Sequence, residues 1–163
     1  MATVDVSRGI PLTLPDFVLH GRSRSEPMSR PVLGLPLRRT IPMEVHSMLD
    51  YSAAGAFAAS AAMATTPEAK AVGLALSGTV AGVSLLTDYD LSLAKLIPIE
   101  VHEAADYLYG FSAVLAPFVL GYWKKDPAAA ATQIFTGLSG IIGSLFTDYR
   151  AATNKTWRGW PTR

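Results

Sequence analysis

The chain has 163 residues, which fits a single domain, and half of its residues are hydrophobic while only 17% are charged. A formal net charge of +1 offers no basic face for nucleic acid. The absence of cysteine excludes disulfides, thiolate metal sites and cysteine nucleophiles. Charges crowd into residues 1–50, the short connections and the C-terminal tail, so four long stretches are nearly free of them.

Residues 1–40 form a segment rich in proline and arginine. This density of proline forbids a long helix, and no alternation typical of a strand is present. We predict an extramembrane arm. Two interpretations remain open: a solvated extension, or an extended arm laid on a partner, because apolar side chains such as Ile10, Phe17 and Leu19 are costly to expose to water.

The rest of the chain is a tandem repeat. The phrase Ile-Pro-x-Glu-Val-His-x-x-x-Asp begins at Ile41 and again at Ile97, and each copy ends in Thr-Asp-Tyr, at Thr87 and at Thr147. Each copy contains two apolar stretches separated by a proline turn, so the unit is a helical hairpin. The predicted divisions are therefore residues 41–90 for the first repeat, 91–150 for the second and 151–163 for a tail.

The four apolar stretches predict four helices, over about residues 42–64, 68–87, 98–123 and 128–149. At about 1.5 Å per residue each is long enough to cross a hydrocarbon core of about 30 Å. A soluble four-helix bundle is the competing interpretation, because the stretches are rich in alanine and glycine. Residues 71–86 and 128–146, however, lack the polar face that a soluble bundle needs. We therefore expect an all-α integral membrane protein with four transmembrane helices, arranged as two tandem helical hairpins.

Small and aromatic residues mark contacts and interfaces. Gly78 and Gly82, like Gly140 and Ser144, have the spacing at which transmembrane helices approach closely, so they are predicted packing positions. Aromatic side chains beside charged residues favour the membrane interface. The predicted interface residues are Tyr122 and Trp123 at one surface and Trp157 and Trp160 at the other.

The basic residues predict the orientation. An even number of spans puts both termini and the central connection on one side, with eleven Arg and Lys residues against three on the other. The bias predicts a multi-pass protein of the bacterial cytoplasmic membrane with both termini in the cytoplasm.

The repeated opening phrase and the closing Thr-Asp-Tyr resemble the SPW-repeat family of small bacterial membrane proteins. The resemblance covers about residues 41–150 and implies paired transmembrane helices in four spans. The Ser-Pro-Trp that names the family is absent: Ala116-Pro117-Phe118 and Ala61-Ala62-Met63 stand where it is expected. The family implies no biochemical activity, so the resemblance bears on the fold alone.

Most of the ionisable residues in the apolar region fall at one end of the predicted bundle, because the two hairpins point the same way. His46 precedes Asp50 by four positions, as His102 precedes Asp106, so each pair shares a helix face. Asp50 and Asp106 lie about two turns inside their helices and need partners in the bundle. The predicted polar cluster comprises Glu44, His46, Asp50, Asp88, Tyr89, Glu100, His102, Asp106, Asp148 and Tyr149.

Three interpretations of this cluster remain open. It fastens the hairpins together through hydrogen bonds; it ligates a haem, a pigment or a metal through His46 and His102; or Asp50 and Asp106 relay protons or ions. No phosphate loop, nucleophile elbow or His-Glu-x-x-His motif is present, so we do not expect an enzyme. No cofactor is required by the sequence.

The functional hypothesis is a non-catalytic accessory subunit of a larger membrane complex, of a respiratory or photosynthetic kind, contacted in part by the N-terminal arm. Membrane lipid and other subunits are the expected partners. The alternative is a membrane protein that binds a cofactor or conducts an ion or small solute through the histidine–aspartate pairs.

Overall fold

The computed structural model describes residues 39–149, which form an all-α bundle of four helices with no strand in that range. They are α1 (Met43–Met63), α2 (Pro67–Leu86), α3 (Ile99–Val119) and α4 (Pro127–Phe146). The all-helical prediction is confirmed. Isolated parallel bridges join Ile41 to Thr147 and Thr87 to Ile97, so the opening phrase of each repeat lies beside a closing triplet.

Local chemistry accounts for the helix bounds. Pro42 and Pro98 immediately precede α1 and α3, where the missing N–H of proline costs nothing because the first N–H groups of a helix have no partner within it. The Thr66 side chain accepts a hydrogen bond from the Ala69 N–H and caps α2. The third helix ends at Val119, earlier than the predicted Trp123, because Gly121 adopts a φ of 71° and turns the chain.

The helices close into a ring. Within each repeat the two helices pack side by side, and between repeats α1 packs against α4 and α2 against α3. The backbones of α1 and α3 do not approach one another, so they lie diagonally across the bundle. Because α1 and α3 carry the two opening phrases, their polar side chains meet on the bundle axis.

Glycines permit the close approach of α3 and α4, though not at every predicted position. A Cβ on Gly137 would lie 2.7 Å from both Ala113 Cβ and the Gly110 carbonyl oxygen. Gly140 packs on the Tyr109 ring, and Ser144 is buried in the bundle. A Cβ on Gly78 or Gly82 would meet no other atom of the described chain within 4 Å, so these glycines do not pack within the bundle.

The bundle buries ionisable and amide side chains and exposes many of its large apolar side chains. Its fully buried side chains include those of His46, His102 and Gln133. Large hydrophobic side chains stand on the surface instead, with Phe135 and Leu108 more than 70% exposed. A soluble protein has the opposite distribution of its largest apolar and its ionisable side chains.

Among the described helices, α2 and α4 are long and apolar enough to cross a membrane, with mean hydropathies of 1.5 and 1.4. Only 28% and 39% of their apolar windows are buried in the bundle. The core helix of a soluble protein would be mostly buried. Residues 1–38 of the arm and the whole tail, with Trp157 and Trp160, lie outside the described residues.

Candidate functional site: a buried histidine–aspartate quartet

Four ionisable side chains meet inside one end of the bundle: His46, Asp50, His102 and Asp106, here called the quartet. Each is at most 2% exposed. One ligand atom from each residue can be chosen so that all four lie within 4.8 Å of one another. The end of the bundle that holds them, formed by the N-termini of α1 and α3, is here called the quartet end.

The shortest contacts of the quartet cross between the repeats. His46 Nε2 lies 2.9 Å from Asp106 Oδ2, and His102 Nε2 lies 3.1 Å from Asp50 Oδ2. The pairs within each helix are longer, at 3.5 Å for His46 with Asp50 and 3.4 Å for His102 with Asp106. Each repeat therefore supplies one histidine and one aspartate to a nearly symmetrical arrangement.

A threonine hydroxyl orients each histidine. Thr147 Oγ1 lies 2.9 Å from His46 Nδ1, and Thr87 Oγ1 lies 2.9 Å from His102 Nδ1. Each hydroxyl donates its only hydrogen to the carbonyl oxygen four residues earlier, on Gly143 and Val83 respectively. The threonines must therefore accept from the rings, so Nδ1 carries hydrogen and Nε2 faces the carboxylates.

Other hydroxyls support the aspartates. Ser84 donates to Asp50 Oδ2 and Ser144 to Asp106 Oδ2, both at 3.3 Å. Tyr149 donates to Asp106 Oδ2 at 2.5 Å and lies 3.0 Å from His46 Nε2. The serines and threonines occupy equivalent positions in the two repeats, and this equivalence is the sequence signal that identifies them.

Two buried atoms of the quartet lack a hydrogen-bond partner among the described residues: His102 Nε2 and Asp106 Oδ1. No oxygen lies in line with His102 Nε2, although two carboxylates are within 3.4 Å of it. Nearly all buried polar atoms in proteins are paired. The quartet therefore contains one ring nitrogen and one carboxylate oxygen whose hydrogen-bonding capacity no described residue satisfies.

A groove leads to the quartet from the side of the bundle. Its volume is about 200 Å³, and its lining includes His46 and Asp50 on one wall and Gly140 and Gly143 on the other. Because Gly140 and Gly143 carry no side chain, α4 leaves space beside His46 and Asp50, and the groove extends to these two residues. Phe135, 73% exposed, also lines it.

The remaining residues of the predicted polar cluster take other positions. Glu44 and Glu100 are exposed in the first turns of α1 and α3. Asp88 is 3.0 Å from Lys95 Nζ in an ion pair, and Asp148 donates its backbone N–H to the Ile41 carbonyl. Tyr89 is buried against the His102 ring, with a centroid separation of 5.6 Å.

Sequence reasoning missed a second polar cluster at the opposite end, here called the far cluster: Ser60, Tyr122, Asp126 and Gln133. Tyr122, predicted at the membrane interface, is only 1% exposed and donates to Gln133 Oε1 at 2.5 Å. The Gln133 amide donates to Ser60 Oγ at 3.1 Å and to the Ala69 carbonyl at 3.0 Å. Trp123 remains 46% exposed. The sequence signal for this cluster is Gln133, a single amide side chain in the otherwise apolar α4, which needs polar partners inside the bundle.

Asp126 joins the two turns at this end. Its Oδ2 accepts from the backbone N–H groups of Thr65 and Thr66 at 2.6 and 3.0 Å. Burial acts to raise the pKa of Asp126, but the hydrogen bonds from Thr66 and Thr65 outweigh it and lower the pKa below the ordinary value. Burial, with Asp126 nearby, raises the pKa of Tyr122 to about 12, so its hydroxyl stays a donor.

An apolar layer separates the quartet from the far cluster. It is formed by Ala54, Phe57, Leu76, Val80, Tyr109 and Ala113. Phe57 and Ala113 are fully buried, and Phe57 stacks edge-on against Tyr109. Only Tyr109 carries a polar atom towards the quartet, its hydroxyl lying 3.5 Å from Asp50 Oδ1.

Comparisons of the chain with family models, with curated proteins and with solved structures find no match.

Proposed function

We propose that this chain is a four-span membrane protein whose role is structural: a non-catalytic subunit that packs against other proteins of a membrane complex. The observation that carries the membrane assignment is the inverted distribution of side chains, with ionisable groups inside and large apolar groups outside. In a membrane the exposed apolar side chains contact lipid, and the buried ionisable side chains pair with one another instead of with water.

The placement of charge supports four spans. Apart from the quartet, every charged residue within the four helices lies in the first five positions of its helix. These residues are Glu44, Glu68, Lys70, Glu100 and Glu103. The remaining turns of all four helices form a belt without exposed charge. In α2 this belt runs from Ala71 to Leu86, about 24 Å at 1.5 Å per residue. It is about 6 Å shorter than a hydrocarbon core of about 30 Å, a mismatch that the long Lys70 side chain at its end accommodates by reaching the membrane surface.

The orientation follows from the connections. Lys70, Lys124 and Lys125 lie at the far end, whereas Lys95 lies towards the quartet end. Counted over the whole sequence, the bias is eleven Arg and Lys residues against three in favour of the side of both termini. Under the positive-inside bias the quartet end therefore faces the bacterial cytoplasm, and both termini are cytoplasmic.

Two features support a subunit role. The quartet satisfies most of its polar groups across the repeats, which suits a fastener between hairpins more than a reaction centre. Gly55, Gly78 and Gly82 leave the outer surfaces of α1 and α2 open, so the backbone of a neighbouring helix could approach closely there. A respiratory or photosynthetic complex remains the hypothesis for the host assembly.

The second candidate is ligand binding at the quartet, favoured by its unpaired atoms. Each histidine Nε2 lies within 3.5 Å of carboxylates from both repeats, which leaves no gap for a porphyrin and favours a single ion. Conduction through the bundle is opposed by the apolar layer, which offers no polar path from the quartet to the far cluster.

Single cysteines introduced into this cysteine-free chain test the membrane assignment. We expect Lys124→Cys to react with an impermeant maleimide from outside the cell, and Leu93→Cys only after the membrane is opened. Phe135→Cys, in the charge-free belt, should stay unreactive although Phe135 is 73% exposed. Rapid labelling of Phe135→Cys, with the protein in the soluble fraction, would contradict a membrane location.

Purification in a gentle detergent tests the subunit role. We expect the intact chain to co-elute with defined partner subunits, and Gly78→Leu to release them while keeping the bundle folded. Gly137→Leu is unsuitable as the variant because it would disturb the bundle itself. Elution of the wild-type chain alone at its own mass, from native membranes, would contradict the role as a subunit.

A further inference from the structure

We propose that the quartet binds one divalent transition-metal ion, of the Zn²⁺ class, through His46, Asp50, His102 and Asp106. The inference goes beyond the subunit role and does not depend on it, because it concerns only what the end of this bundle can hold.

Donor geometry is the first argument. Tetrahedral Zn²⁺ with nitrogen and oxygen ligands at about 2.0–2.2 Å separates neighbouring donor atoms by about 3.3–3.6 Å. The four nitrogen–oxygen distances of the quartet run from 2.9 to 3.5 Å, and the selected donors all lie within 4.8 Å of one another. The adjacent nitrogen and oxygen donors need to shift by only a few tenths of an ångström, whereas the most widely separated donors, at up to 4.8 Å, must close by about 1 Å.

The unpaired atom of His102 is the second argument. Its Nδ1–H is committed to Thr87, so Nε2 is the atom available to a cation. Nε2 is buried, faces the two aspartates and makes no hydrogen bond. A lone pair held against two carboxylates is unfavourable, and a cation between them removes the repulsion.

Charge balance is compatible with a divalent ion, whose binding would displace any proton from the histidine Nε2 atoms. Two carboxylates supply two negative charges to a site that is at most 2% exposed, and buried charge must be compensated. With neutral histidines, one divalent cation makes the quartet electrically neutral. A nitrogen-and-oxygen donor set with two imidazoles suits Zn²⁺ and its first-row neighbours better than Ca²⁺ or Mg²⁺.

The surrounding hydrogen bonds are those that a metal centre requires. Ligating histidines donate their second ring N–H to a fixed acceptor, and ligating carboxylates are themselves hydrogen-bonded. Thr87 and Thr147 accept the hydrogen bonds from the two histidines. Ser84 and Ser144 donate hydrogen bonds to the two aspartates.

The test uses the full-length chain purified in detergent, stripped with a chelator, and titrated with Zn²⁺ and separately with Co²⁺. We expect one equivalent of Zn²⁺ per chain by elemental analysis, and visible bands of tetrahedral Co²⁺ that Zn²⁺ abolishes. His102→Ala should remove this binding, whereas His20→Ala, a histidine outside the bundle helices, should leave it unchanged.

Thr87→Val provides a milder variant in case His102→Ala does not fold. It keeps all four ligands and removes only the acceptor for His102, so we expect Zn²⁺ affinity to fall about 10–100-fold with the helix content unchanged. Failure of the folded wild-type chain to hold stoichiometric Zn²⁺ would overturn the proposal. So would equal binding by wild type and His102→Ala, which would indicate adventitious metal only.

Discussion

Tyr89 and Tyr149 end the two repeats at equivalent positions, yet only Tyr149 bonds to the quartet. The Tyr149 hydroxyl donates to Asp106 Oδ2, whereas the Tyr89 hydroxyl is buried without a hydrogen-bond partner among the described residues. The two-fold repeat of the sequence is therefore broken at these two hydroxyls in the structure, and the difference can be measured.

Replacing each tyrosine by phenylalanine tests this asymmetry. Tyr149→Phe removes a hydrogen bond to a buried carboxylate and should lower the free energy of unfolding by about 1–3 kcal/mol. Tyr89→Phe removes a hydroxyl that has no partner and should be neutral or slightly stabilising. Thermal unfolding in a mild detergent, followed by circular dichroism, compares the two. Equal losses of stability would show that Tyr89 bonds as Tyr149 does.

The glycine positions give a matched pair of alanine substitutions. Gly137→Ala would place a methyl group 2.7 Å from the Gly110 carbonyl oxygen and should destabilise the bundle by about 1–3 kcal/mol. Gly78→Ala meets no atom within 4 Å and should stabilise α2 by about 0.5–1 kcal/mol. The midpoint of thermal unfolding should move in opposite directions. A larger loss for Gly78→Ala would place the close helix contact on α2 instead.

The far cluster depends on one amide. Gln133→Leu leaves the Ala69 carbonyl and the Tyr122 hydroxyl buried without their present partners, so we expect a loss of about 1–3 kcal/mol. Thr132→Leu, on the neighbouring position, is the control, because the Thr132 hydroxyl bonds only to its own helix at Ala128. Hydrogen exchange of the turns around Thr66 and Asp126 should accelerate only in Gln133→Leu. Unchanged exchange there would show that the Gln133 amide does not stabilise the turns.

Asp126 predicts a dependence on acid. Its pKa in the folded chain is lowered, so the charged form binds the turns better than the protonated form does. The stabilisation is complete above the ordinary value of 3.8 and is lost as pH falls through the lower folded pKa. Asp126→Asn should be less stable than wild type near neutral pH, and the difference should shrink below pH 3.8. Unfolding midpoints measured across this range check the sign, and a constant difference would contradict it.

The sequence by itself determined the helices and their equivalence. Proline turns, apolar stretches and the repeated phrase identified four helices, and the i, i+4 spacing put each histidine on one face with its aspartate. These features depend on neighbours along the chain, which sequence patterns report directly. The prediction that α3 extends to Trp123 was wrong, because the turn depends on the backbone conformation of one residue, Gly121, which the apolar pattern does not report.

Only the tertiary structure decided which partner each side chain takes. His46 pairs most closely with Asp106 on the diagonal helix, and Tyr122 turns inward to Gln133 instead of outward to an interface. The same holds for the glycines, since Gly137 faces α3 while Gly78 faces outward. These choices depend on the rotation and depth of each helix against its neighbours. In a chain apolar on every face, the hydrophobic pattern does not specify that rotation, and the buried polar contacts do.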